Sequence, residues 1–424
     1  MRFLISAPAS GSGKTTVTLG LLRAFSRTQD IHSAKSGPDY IDPAFHAAAT
    51  GQACVNLDAW AMSPARIRAL AAGLTPLIVE GAMGLFDGAA PTGKGSSADL
   101  ARILNLPVVL VIDAGRMAGS IGALAQGFMR YDPRVKVTGV ILNNVGSAKH
   151  EAMLRHALPG ITIYGSIPRH PDLQHGARHL GLIQAQERDD LEDFLNNAAN
   201  LMLQHLDMDA LARLDATPPS PGIHSRPRPP AQHIAIARDT AFAFTYPHLL
   251  DDWRSAGAQI SFFSPLADDP VPDADLIYLP GGYPELHAGR IAANQRFLIS
   301  LRQSQALIYG ECGGYMVLGE GLIDADGTRH QMAGLLGLVT SFASRKRHLG
   351  YRHLQASTGP FTGHWTGHEF HYASTVSARG VPLFTATDAS GTALPPMGLI
   401  NQHVSGSFAH IIDTSPIATT KKQA

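Results

Sequence analysis

Short apolar runs recur along the first half of the chain, at residues 3–7, 77–79, 108–112 and 137–142. They are rich in Val, Ile and Leu and do not alternate with polar positions, which is the pattern of strands covered on both faces. Stretches of helical spacing lie between them. One is 17–25, where Val17, Leu21 and Phe25 share a face, and another is 98–104. Strands and helices taking turns predict an α/β fold built on a doubly wound parallel sheet. Apolar runs resume at His233–Ala237, Gln259–Phe263, Leu276–Leu279 and 306–309, and a helix is expected over 315–318. From about Gly334 onward the texture turns β-rich, with frequent Gly and His.

Between the two series the chain reads Ala216-Thr217-Pro218-Pro219-Ser220-Pro221 and then Arg226-Pro227-Arg228-Pro229-Pro230. Proline at this density fits neither a helix nor a sheet interior. Residues 216–232 are therefore expected to form a stiff linker between a domain at 1–215 and another at 233–424. A chain of 424 residues suits about two or three domains. The residues after Asp413 are small and polar and are expected to fray.

The formal net charge is zero, which argues against a nucleic-acid or anionic-membrane partner. No apolar run reaches the ~20 residues of a membrane span. The opening Met1-Arg2-Phe3-Leu4-Ile5-Ser6-Ala7 is short and leads straight into a Gly-rich loop, so it reads as a first strand rather than a signal peptide. With only Cys54 and Cys312, no disulfide framework is available, and a cytoplasmic setting is expected.

That loop is Pro8-Ala9-Ser10-Gly11-Ser12-Gly13-Lys14-Thr15-Thr16, between a strand and an amphipathic helix. Small residues let backbone N–H groups wrap phosphates, a lysine reaches the β/γ-phosphates, and a hydroxyl holds Mg²⁺. The motif's first glycine is replaced by Pro8, and Ala9 stands where partitioning and dimer-switch ATPases carry a second lysine. Asp39 and Asp42, in Lys35-Ser36-Gly37-Pro38-Asp39-Tyr40-Ile41-Asp42-Pro43, read either as ligands for Mg²⁺ or substrate, or as turn residues bonding their own backbone. Glu80, ending an apolar strand, is a candidate second contact to Mg²⁺, with Asp113 an alternative of the same type. Asn143 and Asn144 close a later strand, either facing solvent or reading adenine through their amides.

In the last third, Gly310-Glu311-Cys312-Gly313-Gly314 lies between a strand and a helix, a thiol version of the nucleophile elbow. The helix N-terminus is expected to lower the pKa of Cys312 and favour thiolate. Gly281 and Gly282, in Leu279-Pro280-Gly281-Gly282-Tyr283-Pro284, could present amides to an oxyanion. Among 20 histidines, His410, His403 and His371 compete as the base, and spacing does not choose.

Taken together these segments resemble the cobyrinic acid a,c-diamide synthase family. The resemblance runs from Arg2 to about Ile412. It rests on the phosphate loop, Gly37–Pro43 as spelled above, and Glu80-Gly81-Ala82-Met83-Gly84-Leu85-Phe86-Asp87-Gly88. Further support comes from Arg238-Asp239-Thr240-Ala241-Phe242-Ala243-Phe244, Gly281-Gly282-Tyr283-Pro284-Glu285, Ala177-Arg178-His179-Leu180-Gly181-Leu182 and Gly367-His368-Glu369-Phe370-His371. The family also tolerates the missing first glycine.

The resemblance implies a dethiobiotin-synthetase-like P-loop domain followed by a class I glutamine amidotransferase-like domain. Gly11, Ser12, Gly13, Lys14, Thr15, Thr16 and Asn143 would bind ATP, and Thr15, Asp39 and Glu80 would hold Mg²⁺. Asp42 and Glu80 would join Cys312 and His410 as catalytic residues, with Cys312 the nucleophile and His410 its base. Asp39, Tyr40, Gly281 and Gly282 would contact substrate. A class I triad usually places a Glu two residues after the His. Here that position is Ile412, with Asp413 one further on, which leaves the third member open, a Cys–His pair without one included.

The implied partners are L-glutamine and a corrinoid carboxylate, amidated at its a and c acetates through an acyl phosphate, with a homodimer left open. Phe86-Asp87-Gly88-Ala89-Ala90 and Gly115-Arg116-Met117 resemble enzymes acting on metal-free hydrogenobyrinic acid. Cobyrinic acid, a nickel tetrapyrrole, the other side chains amidated by cobyric acid synthase, and a non-enzymatic P-loop switch with a vestigial thiol domain are the alternatives.

Overall fold

Strands with nearly every position buried form the centre of the first of two units, Met1–His224 and Ser225–Ala424. The computed structural model describes residues 1–170, 177–178, 181–182, 184–217 and 219–415. His179 and Leu180 of the family segment, Pro218 of the Pro-rich stretch and residues 416–424 lie outside the described residues.

The first unit holds β1 (Arg2–Ser6), β2 (His32–Ser36), β3 (Val55–Leu57), β4 (Leu77–Glu80), β5 (Val108–Asp113), β6 (Val137–Val145) and β7 (Ile163–Pro168). They form one sheet in the order β3-β2-β4-β1-β5-β6-β7, and every neighbouring pair is parallel. All of β1 and β4 is buried, as their unbroken apolar character requires. The chain leaves β1 towards one edge, returns to fill the gap with β4, and then crosses to the other side with β5. In open α/β sheets this reversal opens a crevice at the carboxyl ends of the strands. Helix α1 (Lys14–Ser26) leaves β1 there, and α2 (Ile41–Thr50) follows β2.

The second unit repeats the plan. Its sheet runs Gln259–Phe263, His233–Ala237, Leu276–Leu279, Leu307–Glu311, Val404–Ser407, Leu399–Asn401, parallel except for the last pair. The β-rich remainder forms two smaller sheets. One is five-stranded and antiparallel, and includes His348–Ala356, Gly363–His371 and Ala409–Thr414. Among the described residues, no helix is long and apolar enough to cross a membrane.

Candidate active sites

Strand register assembles the phosphate-loop site. Glu80, the last residue of β4, stands opposite Lys35 of β2 on one side and Ile5 of β1 on the other. The loop after β1 therefore turns beside a buried carboxylate. Gly11 and Gly13 have φ of 82° and 88°, which glycine adopts without steric cost. Gly13 is doubly constrained, since a Cβ there would stand 2.2 Å from Asn143 Nδ2. Asn143 Nδ2 donates to Ser12 O at 3.0 Å, and Ser12 Oγ donates to Ala9 O at 2.9 Å. Asn143 thus braces the loop with the amide nitrogen expected to face adenine. Asn144 Nδ2 donates to Asp113 Oδ1 at 3.0 Å.

Lys14 and Thr16 are buried in the first turn of α1, and Thr15 Oγ1 donates to Glu80 Oε1 at 2.6 Å. Lys35 Nζ donates to the same Glu80 oxygen at 2.8 Å and to Asp42 Oδ2 at 2.5 Å, and lies 3.9 Å from Asp39 Oδ2. Asp39 Oδ1 accepts from the backbone N–H of Ile41 and Asp42 at 2.8 and 3.2 Å, capping α2, with Tyr40 at the helix entry. His46 Nε2 lies 2.6 Å from Glu80 Oε2, and Cys54 Sγ lies 3.4 Å from His46 Nδ1. The structure brings Thr15, Asp39, Asp42 and Glu80 together. It adds Lys35, His46 and Cys54, to which the sequence reading gave no role.

The charges of this cluster are interdependent. Burial alone would raise the Glu80 carboxyl, but Lys35 and His46 more than offset it and hold it well below the usual range. Burial and then Asp42 push Asp39 up to about 6, although about a third of its side chain is exposed, so water moderates that effect. Burial and then Lys35 lower Lys14, with the carboxylates opposing. Oxygen donors beside a lysine-bearing phosphate loop are hard ligands, suited to Mg²⁺ and phosphate.

Glu80→Gln should destabilise the protein by about 3–5 kcal/mol near neutral pH, because Lys35 and His46 lose a buried counter-charge. The depressed carboxyl contributes stability that is present above its ordinary pKa of 4.5 and lost as pH falls through the folded value. The gap in Tm between wild type and variant should therefore close in acid. A gap that stays constant from about pH 7 to about pH 3 would refute the pairing.

In the second unit, the strand Leu307–Glu311 ends on Glu311 and the chain turns sharply at Cys312, with φ 46° and ψ −101°. For a residue with a side chain this left-handed backbone costs about 1–3 kcal/mol, and such strain gathers at functional sites. Cys312 N donates to Ser407 O at 2.8 Å and Gly314 N donates to Pro280 O at 3.1 Å. The elbow is thereby pinned to the neighbouring strand and to the Gly281–Gly282 loop, and the Gly282 nitrogen lies against Gly313.

His410 sits on this assembly. A Cβ at Gly281 would come within 2.3 Å of its ring Cε1. Its Nδ1 is 3.4 Å from Glu311 Oε2. Glu311, buried at 1% exposure, also accepts from Tyr278 OH at 2.8 Å and, through Oε1, from Ile411 N at 3.0 Å. The other histidines are placed differently. His403 is at the opposite end of its strand, where its carbonyl pairs with Ile308 and its Nε2 faces Ser304 O at 3.1 Å. His371 bonds Glu369 at 2.9 Å and Ala373 O at 3.1 Å and stacks on Phe408.

One expectation is reversed here. Burial, followed by the charge of Glu285, pushes the Cys312 thiol up rather than down. The helix behind it, Gly313–Leu318, has only six residues, and its dipole does not compensate.

Gly281→Ala should lower glutamine hydrolysis by roughly 10²-fold, since the new methyl displaces the His410 ring and an ångström of misplacement carries such a penalty. A kinetic assay of glutamate release checks this, and full activity would refute the contact.

Ligand atoms of His348, Glu369 and His371 lie within 4.8 Å of one another. Both Glu369 oxygens are already engaged, Oε1 by His371 and Oε2 by Arg352.

Residues 233–416 match the family model of a CobB/CobQ-like glutamine amidotransferase domain, and residues 39–177 match that of an AAA domain. The chain is 55% identical to a hydrogenobyrinate a,c-diamide synthase of Brucella anthropi, over 97% of this chain and 98% of the relative. It is 53% identical to another of that name from a Sinorhizobium species (98% of this chain, 99% of the relative). It is 50% identical to one from Rhodobacter capsulatus (96% and 98%). A solved structure described as a glutamine amidotransferase matches 32% of this chain and 70% of its own at 13% identity, with a TM-score of 0.23 that carries no inference. With half or more of its residues identical to these relatives over nearly the full length of each, the chain belongs to the hydrogenobyrinate a,c-diamide synthase family.

Proposed function

We propose that this protein uses ATP and glutamine to amidate the a and c acetate carboxylates of hydrogenobyrinic acid. The observation that carries this reading is the pairing, on one chain, of two built sites. One is a phosphate loop whose Thr15 touches a carboxylate cluster, and the other is a strained cysteine elbow pinned to the Gly281–Gly282 loop against which His410 packs. Relatives named for that substrate, 50–55% identical over nearly full length, support the choice of metal-free macrocycle. Residues 1–215 carry the synthetase, 216–232 the linker and 233–424 the glutaminase. Two free buried cysteines suit a cytoplasmic enzyme. Its partners are small molecules, and a homodimer is compatible with this reading without being required by it.

In the glutaminase, Cys312 sulfur attacks the side-chain amide carbon of glutamine while its proton passes to His410. His410 returns that proton to the amide nitrogen, the C–N bond breaks, and ammonia leaves behind a thioester. Water, deprotonated by His410, then adds to the thioester carbon. The S–C bond breaks, releasing glutamate, and the thiol regains its proton. Amides of Gly281 and Gly282 serve the oxyanion.

In the synthetase, the loop from Gly11 to Thr16 and the Lys14 ammonium hold the phosphates. A substrate carboxylate oxygen attacks the γ-phosphorus, ADP departs, and ammonia displaces phosphate from the acyl phosphate to give the amide. The donors present fit Mg²⁺. The Thr15 hydroxyl already reaches Glu80, and Asp39 adds a carboxylate beside the same lysine. When bound, Mg²⁺ would neutralise phosphate charge. Lys35 holds Asp42 and Glu80 in place and keeps Glu80 ionised, and Asp39 and Tyr40 face the substrate. Counting ADP and glutamate released per amide tests this scheme. One of each per amide is expected, and amide formation without ADP would contradict it.

A further inference from the structure

The position two residues beyond His410 is Ile412, a fully buried aliphatic side chain that offers no acid to the imidazole. We propose that Glu311, the residue immediately before the nucleophile, is the positioning acid of the glutaminase and acts on His410 Nδ1. This rests on the reading of Cys312 and His410 given above.

The geometry ties Glu311 to both partners. It is the last residue of its strand, in register with Ser407, while Cys312 N bonds that same Ser407 through its carbonyl. Acid and nucleophile are therefore consecutive residues held against one neighbouring strand. On the other side, Glu311 Oε1 accepts from Ile411 N, the residue next to the base. The carboxylate is thus fastened to the backbone that carries His410. Its remaining oxygen, Oε2, is steadied by Tyr278 OH and lies 3.4 Å from His410 Nδ1.

A carboxylate at 1% exposure is costly to bury unless hydrogen-bonded and paired. Two neutral donors satisfy part of that need, and His410 is the basic group placed to satisfy the rest. A carboxylate facing Nδ1 selects the tautomer with the proton there, which leaves the Nε2 lone pair to accept the thiol proton. Once that proton arrives, the same carboxylate stabilises the imidazolium. The separation is long for a charged hydrogen bond, and such contacts tighten in the reacting complex. Because the Cys312 thiol resists ionisation at rest, a base of fixed tautomer has most to contribute here.

The bland alternative is that Glu311 only seals Ile411 N–H and Tyr278 OH. Glu311→Gln separates the two, since the amide oxygen still accepts a hydrogen bond but the charge is gone. If the acid acts on His410, kcat for glutamine hydrolysis should fall by at least tenfold and by up to roughly 10⁴-fold, the loss that follows when a buried triad aspartate becomes asparagine. KM for glutamine and Tm should hold, and amidation supplied with ammonium salt should be unchanged. A kcat within about threefold of wild type would overturn the proposal, on a scale where tenfold is 1.4 kcal/mol. So would a loss accompanied by a raised KM and a lowered Tm.

If Glu311→Gln does not fold, Glu311→Asp keeps the charge but withdraws it by one methylene. It should show a smaller kcat loss at constant KM, and full activity would overturn the proposal. Cys312→Ser, assayed alongside, keeps the outcomes apart. Persistent glutamine hydrolysis there would undo the underlying reading, whereas a silent Glu311→Gln beside an inactive Cys312→Ser undoes only this inference.

Discussion

Cys312→Ser should abolish glutamine-dependent amidation while leaving ammonium-dependent amidation near the wild-type rate. Cys312, the proposed nucleophile, sits at φ 46° in an elbow pinned by Ser407 O and Pro280 O. A hydroxyl there has almost the same size, so the fold should persist. A serine hydroxyl is far harder to deprotonate than a thiol, and the single base His410 has been placed for sulfur. Removal of a nucleophile that acts as a unit with its base costs on the order of 10⁴- to 10⁶-fold in kcat. Glutamate release and amide formation from ammonium, measured on one preparation, check both halves. Loss of both activities, or of neither, would remove Cys312 from the role assigned to it.

Lys14→Ala should give the mirror image, with glutamine hydrolysis largely kept and amidation lost from either nitrogen source. The ammonium group is buried at the start of α1, among Lys35, Asp39, Asp42 and Glu80. In the proposed reaction its charge is the one the phosphate loop would supply to the transferred phosphoryl group. Deleting one preorganised charge donor typically costs about 10²- to 10³-fold in kcat. Alanine also removes one cation from beside Asp39, Asp42 and Glu80, so KM for ATP should rise as well. The measurement is ADP release with saturating ammonium salt. An unchanged rate would show that the phosphate loop does not serve the reaction.

How much of this was legible in the sequence depended on what held each feature together. His233–Ala237 and Leu276–Leu279 coincide with the observed strands because each is an apolar run between breakers, and Gln259–Phe263 does so with its Ile and Phe positions flanked by Gly257 and Pro265. β2 is His-Ser-Ala-Lys-Ser and carries no apolar run, yet it lies inside the sheet between β3 and β4. It is tolerated there because its lysine is paired with Glu80 and Asp42. The phosphate loop and cysteine elbow were visible because their chemistry is contiguous in the chain. The contacts of Glu80 with Lys35 and His46 were not, since register between β2 and β4 and the docking of α2 create them.

Glu311 was written inside the elbow motif from the start. Its nearness to His410 arises only because the strand Ala409–Thr414 begins where Val404–Ser407, the partner of the cysteine strand, ends. The pKa of Cys312 was misjudged for a related reason. A helix N-terminus can be read from sequence, whereas the burial that outweighs it cannot.

The proposed reaction carries glutamine nitrogen to two carboxylates of a metal-free macrocycle. It is tested most directly by mass spectrometry of the product formed from hydrogenobyrinic acid, ATP, Mg²⁺ and glutamine labelled with nitrogen-15 in its side-chain amide, with cobyrinic acid run in parallel. Two labelled amides on hydrogenobyrinic acid are expected. Amidation confined to cobyrinic acid would contradict the substrate assigned, and no labelled amide on either macrocycle would contradict the function itself.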